Sequence, residues 1–161
     1  GKKKYADVQE LAIESQKKGN ELKAQFVDVI DRDTEAFNAV SAVFAMPKDT
    51  DEEKAARKAA MQEALKGCTK TPFEMMELAC QALELTRSVV GKLNASAASD
   101  LGCAALSLKA AIQGAWLNVL INIGGIQDQA FADEYRQKGQ ALLDKALPLA
   151  DAIYQEVLES L

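Results

Sequence analysis

Asp33 is the residue of this sequence whose position points most directly to chemistry. It lies in a series spaced by four and three residues: Phe26, Ile30, Asp33, Phe37, Val40 and Phe44. This spacing predicts a helix face that is directed into a protein core, and it therefore predicts a buried carboxylate. Burial without a partner raises the pKa of a carboxyl group, and such a group suits proton transfer. A structural carboxylate that pairs with a lysine or a backbone donor of a facing helix fits the same spacing.

Two asparagines form the second candidate group. Asn118 and Asn122 end a series of small or polar residues at nearly heptad spacing, namely Asp100, Ala104, Ser107, Ala111 and Gly114. Such a series leaves a groove for a ligand or permits close contact with another helix, for example at a dimer axis. In a groove, the two amides would offer donors and acceptors to a heteroaromatic ring with amide-like groups. In the first turn of a helix, Asp100 is also favoured by the helix dipole.

The residue types exclude several kinds of catalysis. The sequence has no histidine, so it holds no Ser-His or Cys-His pair and no histidine-containing zinc site. The three cysteines are widely spaced and form no Cys-x-x-Cys pair, so we expect small buried thiols rather than ligands. Proton transfer therefore depends on carboxylates, lysines, tyrosines or bound water. Lys48 lies on a predicted loop after Met46-Pro47, where a functional lysine is plausible.

Charge and hydropathy limit the partners of the chain. The 161 residues carry a formal net charge of -5, which gives no general attraction to nucleic acid or anionic lipid. The longest apolar stretch, residues 114–126, is interrupted by the two asparagines and is too short to span a bilayer. The first residues do not have the pattern of a signal peptide. We therefore expect a cytoplasmic protein without a nucleic-acid or membrane partner.

Helical spacing dominates the sequence and predicts an all-α, antiparallel up-and-down bundle of about five long helices in one domain, residues 1–161. The first helix is predicted from Lys4 to Ala45, before Met46-Pro47. Capping signals predict the starts of the other helices: a capping box at Thr50, the pair Thr71-Pro72, Ser96 or Ser99, and Asp128. The last helix contains Pro148, where we expect a kink.

Several stretches of this sequence resemble the cyclodeaminase/cyclohydrolase family of folate enzymes. This family comprises the C-terminal half of formiminotransferase-cyclodeaminase and its stand-alone bacterial relatives. The similar stretches are residues 1–5, 31–37, 46–48, 52–54, 94–100 and 114–123. They occur in order along nearly the whole chain, which is more specific than any one short motif.

The resemblance implies a helical homodimer that acts on one-carbon derivatives of tetrahydrofolate without a metal or redox cofactor. It places the catalytic aspartate of the family on Asp33, and it matches Asn118, Asn122, Ser99 and Asp100 to other motif positions of the family. We expect these four residues and Lys48 to contact the substrate. Family members also carry a Gly-rich segment on an N-terminal helix before the Gly-Lys-Lys-Lys-Tyr stretch. Nothing in this sequence corresponds to that helix.

A non-catalytic role also fits the polar residues that interrupt the apolar helix faces. Polar side chains in a helical seam can set the register of a dimer, so the alternative is a helical interaction module. The two hypotheses differ in whether the chain binds a folate.

Overall fold

The computed structural model describes residues 3–161, and these residues form an all-α bundle. The long helices are α1 (Gln9–Phe44), α2 (Asp51–Val89), α3 (Ala98–Ile123) and α4 (Gln129–Ser160). Short 3-10 helices, Lys3–Val8 and Ala95–Ala97, precede α1 and α3. The predicted fold class is confirmed, but the bundle has four long helices rather than five. Residues 1 and 2, which belong to the first stretch of the family resemblance, lie outside the described part of the chain.

Two of the predicted helix starts are confirmed. The side chain of Thr50 accepts a hydrogen bond from the Glu53 N–H, and the Glu53 side chain accepts one from the Thr50 N–H, which completes a capping box. Asp128 accepts a hydrogen bond from the Phe131 N–H at the start of α4. Each contact satisfies backbone donors that have no partner within the helix.

The predicted start of α3 at a serine is wrong. Ala97 precedes α3 and makes no side-chain capping bond. The chain instead enters α3 through the 3-10 turn, whose own start is capped when Asn94 Oδ1 accepts a hydrogen bond from the Ser96 N–H.

The predicted break at Thr71-Pro72 is also wrong, because α2 is continuous through Pro72. An internal proline removes one hydrogen bond from the helix and normally kinks or ends it. A contact from α3, described below, compensates for this loss. Helix α4 likewise continues through Pro148, and the expected kink there stays a prediction.

The main core lies between α2, α3 and α4. Its largest fully buried side chains include Met76 and Leu83 of α2, Ile112 and Val119 of α3, and Ile153 of α4. These residues lie at helical spacing along each helix, so one face of each of the three helices is removed from water. Burial of these faces supplies the main driving force for folding.

Helix α1 packs only on α2 and on the preceding 3-10 helix within the described chain. It buries Leu22, Val29 and Val43, and a small separate cluster forms around Leu78 of α2. The expectation that the Asp33 series faces the core is therefore wrong. The neighbouring series at positions 22, 29 and 43 faces α2, and this rotation leaves Phe37 64% exposed.

Residues Ala95–Ile123 are long and apolar enough to cross a membrane by length and composition alone. The expectation that the apolar stretch is too short to span a bilayer was based on residues 114–126 alone, and the helical segment that contains most of this stretch is longer. One such helix is weak evidence for a membrane span, and 22% of its most apolar window is buried inside the described chain. Helix α3 packs against both α2 and α4 and buries Ala105, Ile112 and Val119.

Helices α3 and α4 approach each other closely at Gly139. A Cβ atom at this position would lie 2.0 Å from Cζ3 of Trp116. The indole ring therefore lies directly on the backbone of α4, and only glycine leaves room for it.

We expect Gly139→Ala to lower the free energy of unfolding by about 1–3 kcal/mol, because the ring must move out of a packed position. Gly67→Ala is the matched control, since a Cβ atom there has no neighbour within 4 Å. The control should raise stability by about 0.5–1 kcal/mol through the higher helix propensity of alanine. Urea denaturation followed by circular dichroism measures both. Equal stability of the two variants would contradict the close approach.

Candidate functional site

Helices α1 and α3 both pack on α2 but do not contact each other within the described chain. They therefore leave a groove, here called the α1–α3 groove. The groove is defined by two contacts with one turn of α2: Thr71 contacts Asp33 of α1, and the Cys68 carbonyl contacts Asn122 of α3. Phe37 lies four residues after Asp33 on α1, and Asn118 lies four residues before Asn122 on α3.

Asp33 is exposed in this structure, so its predicted burial is wrong. The physical reason is that no helix of the chain covers the face of α1 on which it lies. Its position is nevertheless fixed, because Thr71 Oγ1 donates a hydrogen bond to Asp33 Oδ1 at 2.7 Å. Thr71 is buried, so a carboxylate at the groove edge is held by a rigid donor in the groove floor.

The groove floor next to Asp33 is formed by Cys68. Burial raises the pKa of the Cys68 thiol, and the negative charge of Asp33 raises it further. A thiol with a raised pKa stays protonated at neutral pH and is a poor nucleophile. The proposed mechanism therefore assigns Cys68 no covalent step.

The backbone carbonyl of Cys68 explains why α2 tolerates its proline. In a regular helix this oxygen would accept a hydrogen bond from the N–H four residues later, but residue 72 is a proline and has none. Asn122 Nδ2 of α3 donates to this oxygen instead, at 2.8 Å. The side chain of Asn122 thus replaces the missing helical donor and joins α3 to α2.

The two asparagine amides are tied to the protein backbone. Asn118 Nδ2 donates to the Gly114 carbonyl at 3.0 Å, and Asn122 Nδ2 donates to the Asn118 carbonyl at 2.9 Å. Asn118 is exposed and Asn122 is half-buried. These contacts fix the orientation of both amides, and the side-chain oxygens remain as acceptors for a ligand in the groove.

Ser99 and Asp100 lie at the other end of α3. Asn118 follows Asp100 by eighteen residues, which corresponds to about 27 Å along a helix. The structure therefore brings Asp33 and Asn122 to the same turn of α2, with Asn118 one helical turn from Asn122, whereas Ser99 and Asp100 lie at the far end of α3. The helical spacing predicted that Asp100 and the two asparagines share one face of α3, but it did not take account of the distance between them along the helix axis.

Lys48 lies near the end of the groove, in the turn between α1 and α2. It lines a cleft of about 340 Å³ together with Phe44 and with two basic residues of α2, Arg57 and Lys58. The sequence reasoning missed these two residues and Thr71. Their spacing within α2 shows no anomaly, and only the packing of α1 on α2 brings Arg57 and Lys58 beside Phe44 and brings Thr71 to Asp33.

A second polar contact between α1 and α2 is the ion pair of Arg32, the residue before Asp33, with Glu74. The Arg32 guanidinium donates to both carboxylate oxygens of Glu74, at 2.5 and 2.7 Å. The hydrogen bonds from Arg32 are the main reason that the pKa of Glu74 is lowered. A bidentate pair is geometrically specific, so it fixes the register of α1 against α2.

The described residues include no group of three or more cysteine, aspartate or glutamate side chains arranged to hold a metal ion.

Comparison with protein families identifies the relatives of the chain. The sequence profile of the family described as formiminotransferase-cyclodeaminase matches residues 1–141. A methenyltetrahydrofolate cyclohydrolase of Methylorubrum extorquens is 40% identical over 157 residues, which make up 98% of this chain and 76% of that protein.

A longer relative and a solved structure agree with this match. The formimidoyltransferase-cyclodeaminase of Sus scrofa is 34% identical over 123 residues, 76% of this chain and 23% of that protein. The crystal structure of formiminotetrahydrofolate cyclodeaminase from Thermotoga maritima superposes with a TM-score of 0.76 at 26% identity, and the match covers 99% of this chain and 74% of that one.

The contact of Asn122 with the Cys68 carbonyl can be tested by a double-mutant cycle. We expect Asn122→Leu to lower the free energy of unfolding by about 1–3 kcal/mol, because it leaves a carbonyl at the helix interface without a donor. In a Pro72→Ala background, the N–H of residue 72 becomes available to that carbonyl, so Asn122→Leu should cost less. Urea denaturation of the four proteins measures the coupling. An equal cost in both backgrounds would show that Asn122 stabilises the chain in another way.

Proposed function

Because this chain belongs to the formiminotransferase-cyclodeaminase family, we propose that it is an enzyme that acts at the carbon bridging N5 and N10 of tetrahydrofolate. Two reactions at this carbon are considered. In cyclohydrolysis, water adds to the cationic methenyl carbon and one carbon–nitrogen bond then breaks. In cyclodeamination, N10 attacks the formimidoyl carbon and ammonia leaves.

We propose cyclohydrolysis as the first candidate. The relative that is 40% identical and spans 98% of the chain is a methenyltetrahydrofolate cyclohydrolase. Cyclodeamination is the second candidate, since the similar crystal structure is that of a formiminotetrahydrofolate cyclodeaminase. Both reactions need one group that takes a proton from the nucleophile and delivers a proton to the leaving nitrogen.

Asp33 is the proposed proton carrier in either reaction. The observation that supports this role is its position, at an open groove edge and held by the hydroxyl of Thr71 at 2.7 Å. In cyclohydrolysis, the carboxylate would accept a proton from the attacking water, and the resulting acid would protonate the departing nitrogen. While ionised, it would also stabilise the cationic methenyl carbon. Exposure in the free chain suits this role, because bound substrate would exclude water from the carboxylate.

The proposed ring site lies across the groove from Asp33. Asn118 and Asn122 present fixed amide oxygens there, which suit the N–H groups of a reduced pterin. We propose that Lys48 contacts the substrate farther along the groove. Ser99 and Asp100 stay predictions that the groove of a single chain does not include.

We also propose that the chain acts in the cytoplasm as a homodimer. Its net charge of -5 gives no general attraction to nucleic acid or anionic lipid. Large apolar side chains are exposed on α3, where Leu117 is 67% and Ile121 75% accessible. Exposed apolar residues that cluster on one helix face are typical of an interface, and a second copy of the chain would cover them.

The role of Asp33 is tested with Asp33→Asn, and Asp31→Asn serves as the control with the same charge change on an exposed neighbouring position. We expect Asp33→Asn to lower turnover by roughly 10²–10⁴-fold, the usual contribution of general acid–base catalysis, without loss of helical circular dichroism. The near-UV absorbance of methenyltetrahydrofolate fades as the ring opens and reports cyclohydrolysis. Ammonia release from the formimidoyl substrate reports cyclodeamination. Undiminished turnover by Asp33→Asn in both assays would remove this residue from the mechanism.

Thr71→Val tests whether the hydroxyl positions the carboxylate. We expect it to lower kcat by about tenfold, which corresponds to roughly 1.4 kcal/mol, close to the contribution of one hydrogen bond to a charged group, with little change in KM. In an Asp33→Asn background the same substitution should have little further effect on kcat. A similar loss in both backgrounds would show that Thr71 acts independently of Asp33.

The homodimer is tested with the double variant Leu117→Glu/Ile121→Glu. Two carboxylates in an apolar interface should shift the sedimentation coefficient from that of a dimer to that of a monomer. Leu158→Glu is the control, because this exposed residue lies near the end of α4, away from the groove. Sedimentation of the unmodified chain as a monomer at micromolar concentration would contradict the proposal.

A further inference from the structure

The stretch of α1 that carries Asp33 has little apolar packing to hold it. The buried side chains of α1 are Leu22, Val29 and Val43, so none of residues 30–42 is buried. Asp33 lies inside this stretch. Burial of apolar surface is non-directional, so it does not set the rotation of a helix about its own axis. Polar contacts therefore have to set the direction in which the Asp33 carboxylate points.

Two polar contacts with α2 start from adjacent residues in this stretch. Asp33 accepts a hydrogen bond from Thr71 at 2.7 Å. Arg32 donates to both carboxylate oxygens of Glu74, at 2.5 and 2.7 Å. The two partners on α2 are three residues apart in the sequence, so they are neighbours on one face of that helix. One short segment of α1 is thus held by one short segment of α2.

The two contacts lie on either side of the line along which α1 rests on α2. Val29 is completely buried and marks this line. Arg32 and Asp33 follow Val29 by three and four residues, which places them about 60° to one side of it and about 40° to the other. A rotation of α1 about its own axis that shortens one contact therefore lengthens the other. Together the two contacts fix this rotation.

The guanidinium of Arg32 is itself held in one orientation. Its Nε donates to Asp28 Oδ2 at 2.7 Å, one turn earlier on α1, while its two terminal nitrogens contact Glu74. The side chains of Arg32 and Glu74 are 39% and 40% exposed. An ion pair at this exposure contributes little to stability through its charge. The property that distinguishes this pair is therefore its bidentate geometry.

We infer that Arg32 and Glu74 are positioning residues, which hold α1 at the rotation where the Asp33 carboxylate meets the Thr71 hydroxyl. This inference rests on the proposed function, in which Asp33 carries the proton. A small rotation of α1 would move the carboxylate away from the reacting atoms, and reaction rates fall steeply with such a displacement. Binding of the substrate by the other residues of the groove would change little. Loss of the ion pair therefore lowers kcat and leaves KM nearly unchanged.

Arg32→Lys tests the inference, because lysine keeps the positive charge but lacks the planar fork that binds both oxygens of Glu74. Arg87→Lys is the matched control. Arg87 of α2 pairs with Glu156 of α4 at a similar exposure, and it follows Glu74 by thirteen residues, about 20 Å along α2. We expect Arg32→Lys to lower kcat about tenfold with KM within about twofold, and we expect the control to change neither by more than about twofold.

Two further variants separate positioning from a general structural role. Glu74→Gln changes the other partner of the ion pair and should lower kcat in the same way as Arg32→Lys. In an Asp33→Asn background, Arg32→Lys should have no further effect on kcat, because the group that it positions is already absent. An unchanged kcat in Arg32→Lys, or an equal loss in both backgrounds, would overturn the inference.

Carbon-13 NMR of the side-chain carboxyl groups provides a readout that does not depend on catalysis. In protein that contains labelled aspartate, the Asp33 signal is the one that Asp33→Asn removes. Thr71→Val gives the position of this signal without the hydrogen bond. In Arg32→Lys the signal should move toward that position, and in Arg87→Lys it should stay in place.

This readout distinguishes failure of the inference from failure of the proposed function. If no folate is turned over but the Asp33 signal moves in Arg32→Lys, the proposed function fails and the role of the ion pair in holding the carboxylate stands. If the signal does not move in Arg32→Lys, or moves equally in Arg87→Lys, the ion pair does not position Asp33 and the inference is overturned.

Discussion

One turn of α2, residues 68–72, holds both sides of the groove. Pro72 removes the N–H that the Cys68 carbonyl would accept in a regular helix, and Asn122 of α3 supplies the replacement donor. The hydroxyl of Thr71, the residue before Pro72, donates a hydrogen bond to Asp33 of α1. The proline thus leaves an acceptor without its helical donor, and the bond from Asn122 to this acceptor joins α3 to the turn of α2 that also holds Asp33. The relative position of the proposed proton carrier and the proposed ring site depends on these two bonds.

The apolar side chains that are buried in the single chain differ from those that the proposed substrate and a second copy would cover. The three helices α2, α3 and α4 form the core, while the apolar face of α1 that includes Phe37 remains open in the single chain. In the proposed function, substrate covers the face next to Asp33, and a second copy covers the exposed side chains of α3. A carboxylate in this place can be hydrated in the free enzyme and become desolvated in the complex, when its chemistry is needed.

The sequence predicted the helical class and the capping box at Thr50, because these depend on residues close in the chain. It did not predict the continuous α2, since the donor that makes Pro72 tolerable is Asn122, fifty residues away. The sequence singled out Asp33, but the spacing of the series around this residue indicated only that one face of α1 is apolar. It did not indicate which molecule covers that face. Arg57 was missed for a related reason: a basic residue on a helix looks solvated until packing places it beside Phe44. Long-range packing therefore decided the details of the site.

The attachment of α1 to a single neighbour has a mechanical consequence. A helix of 36 residues that rests on one side only can tilt away from its support without disturbing the three-helix core. Elements with few buried contacts open at a lower free energy than the rest of a domain. A tilt of α1 about its contacts with α2 would change the width of the groove and leave the packing of α2, α3 and α4 unchanged.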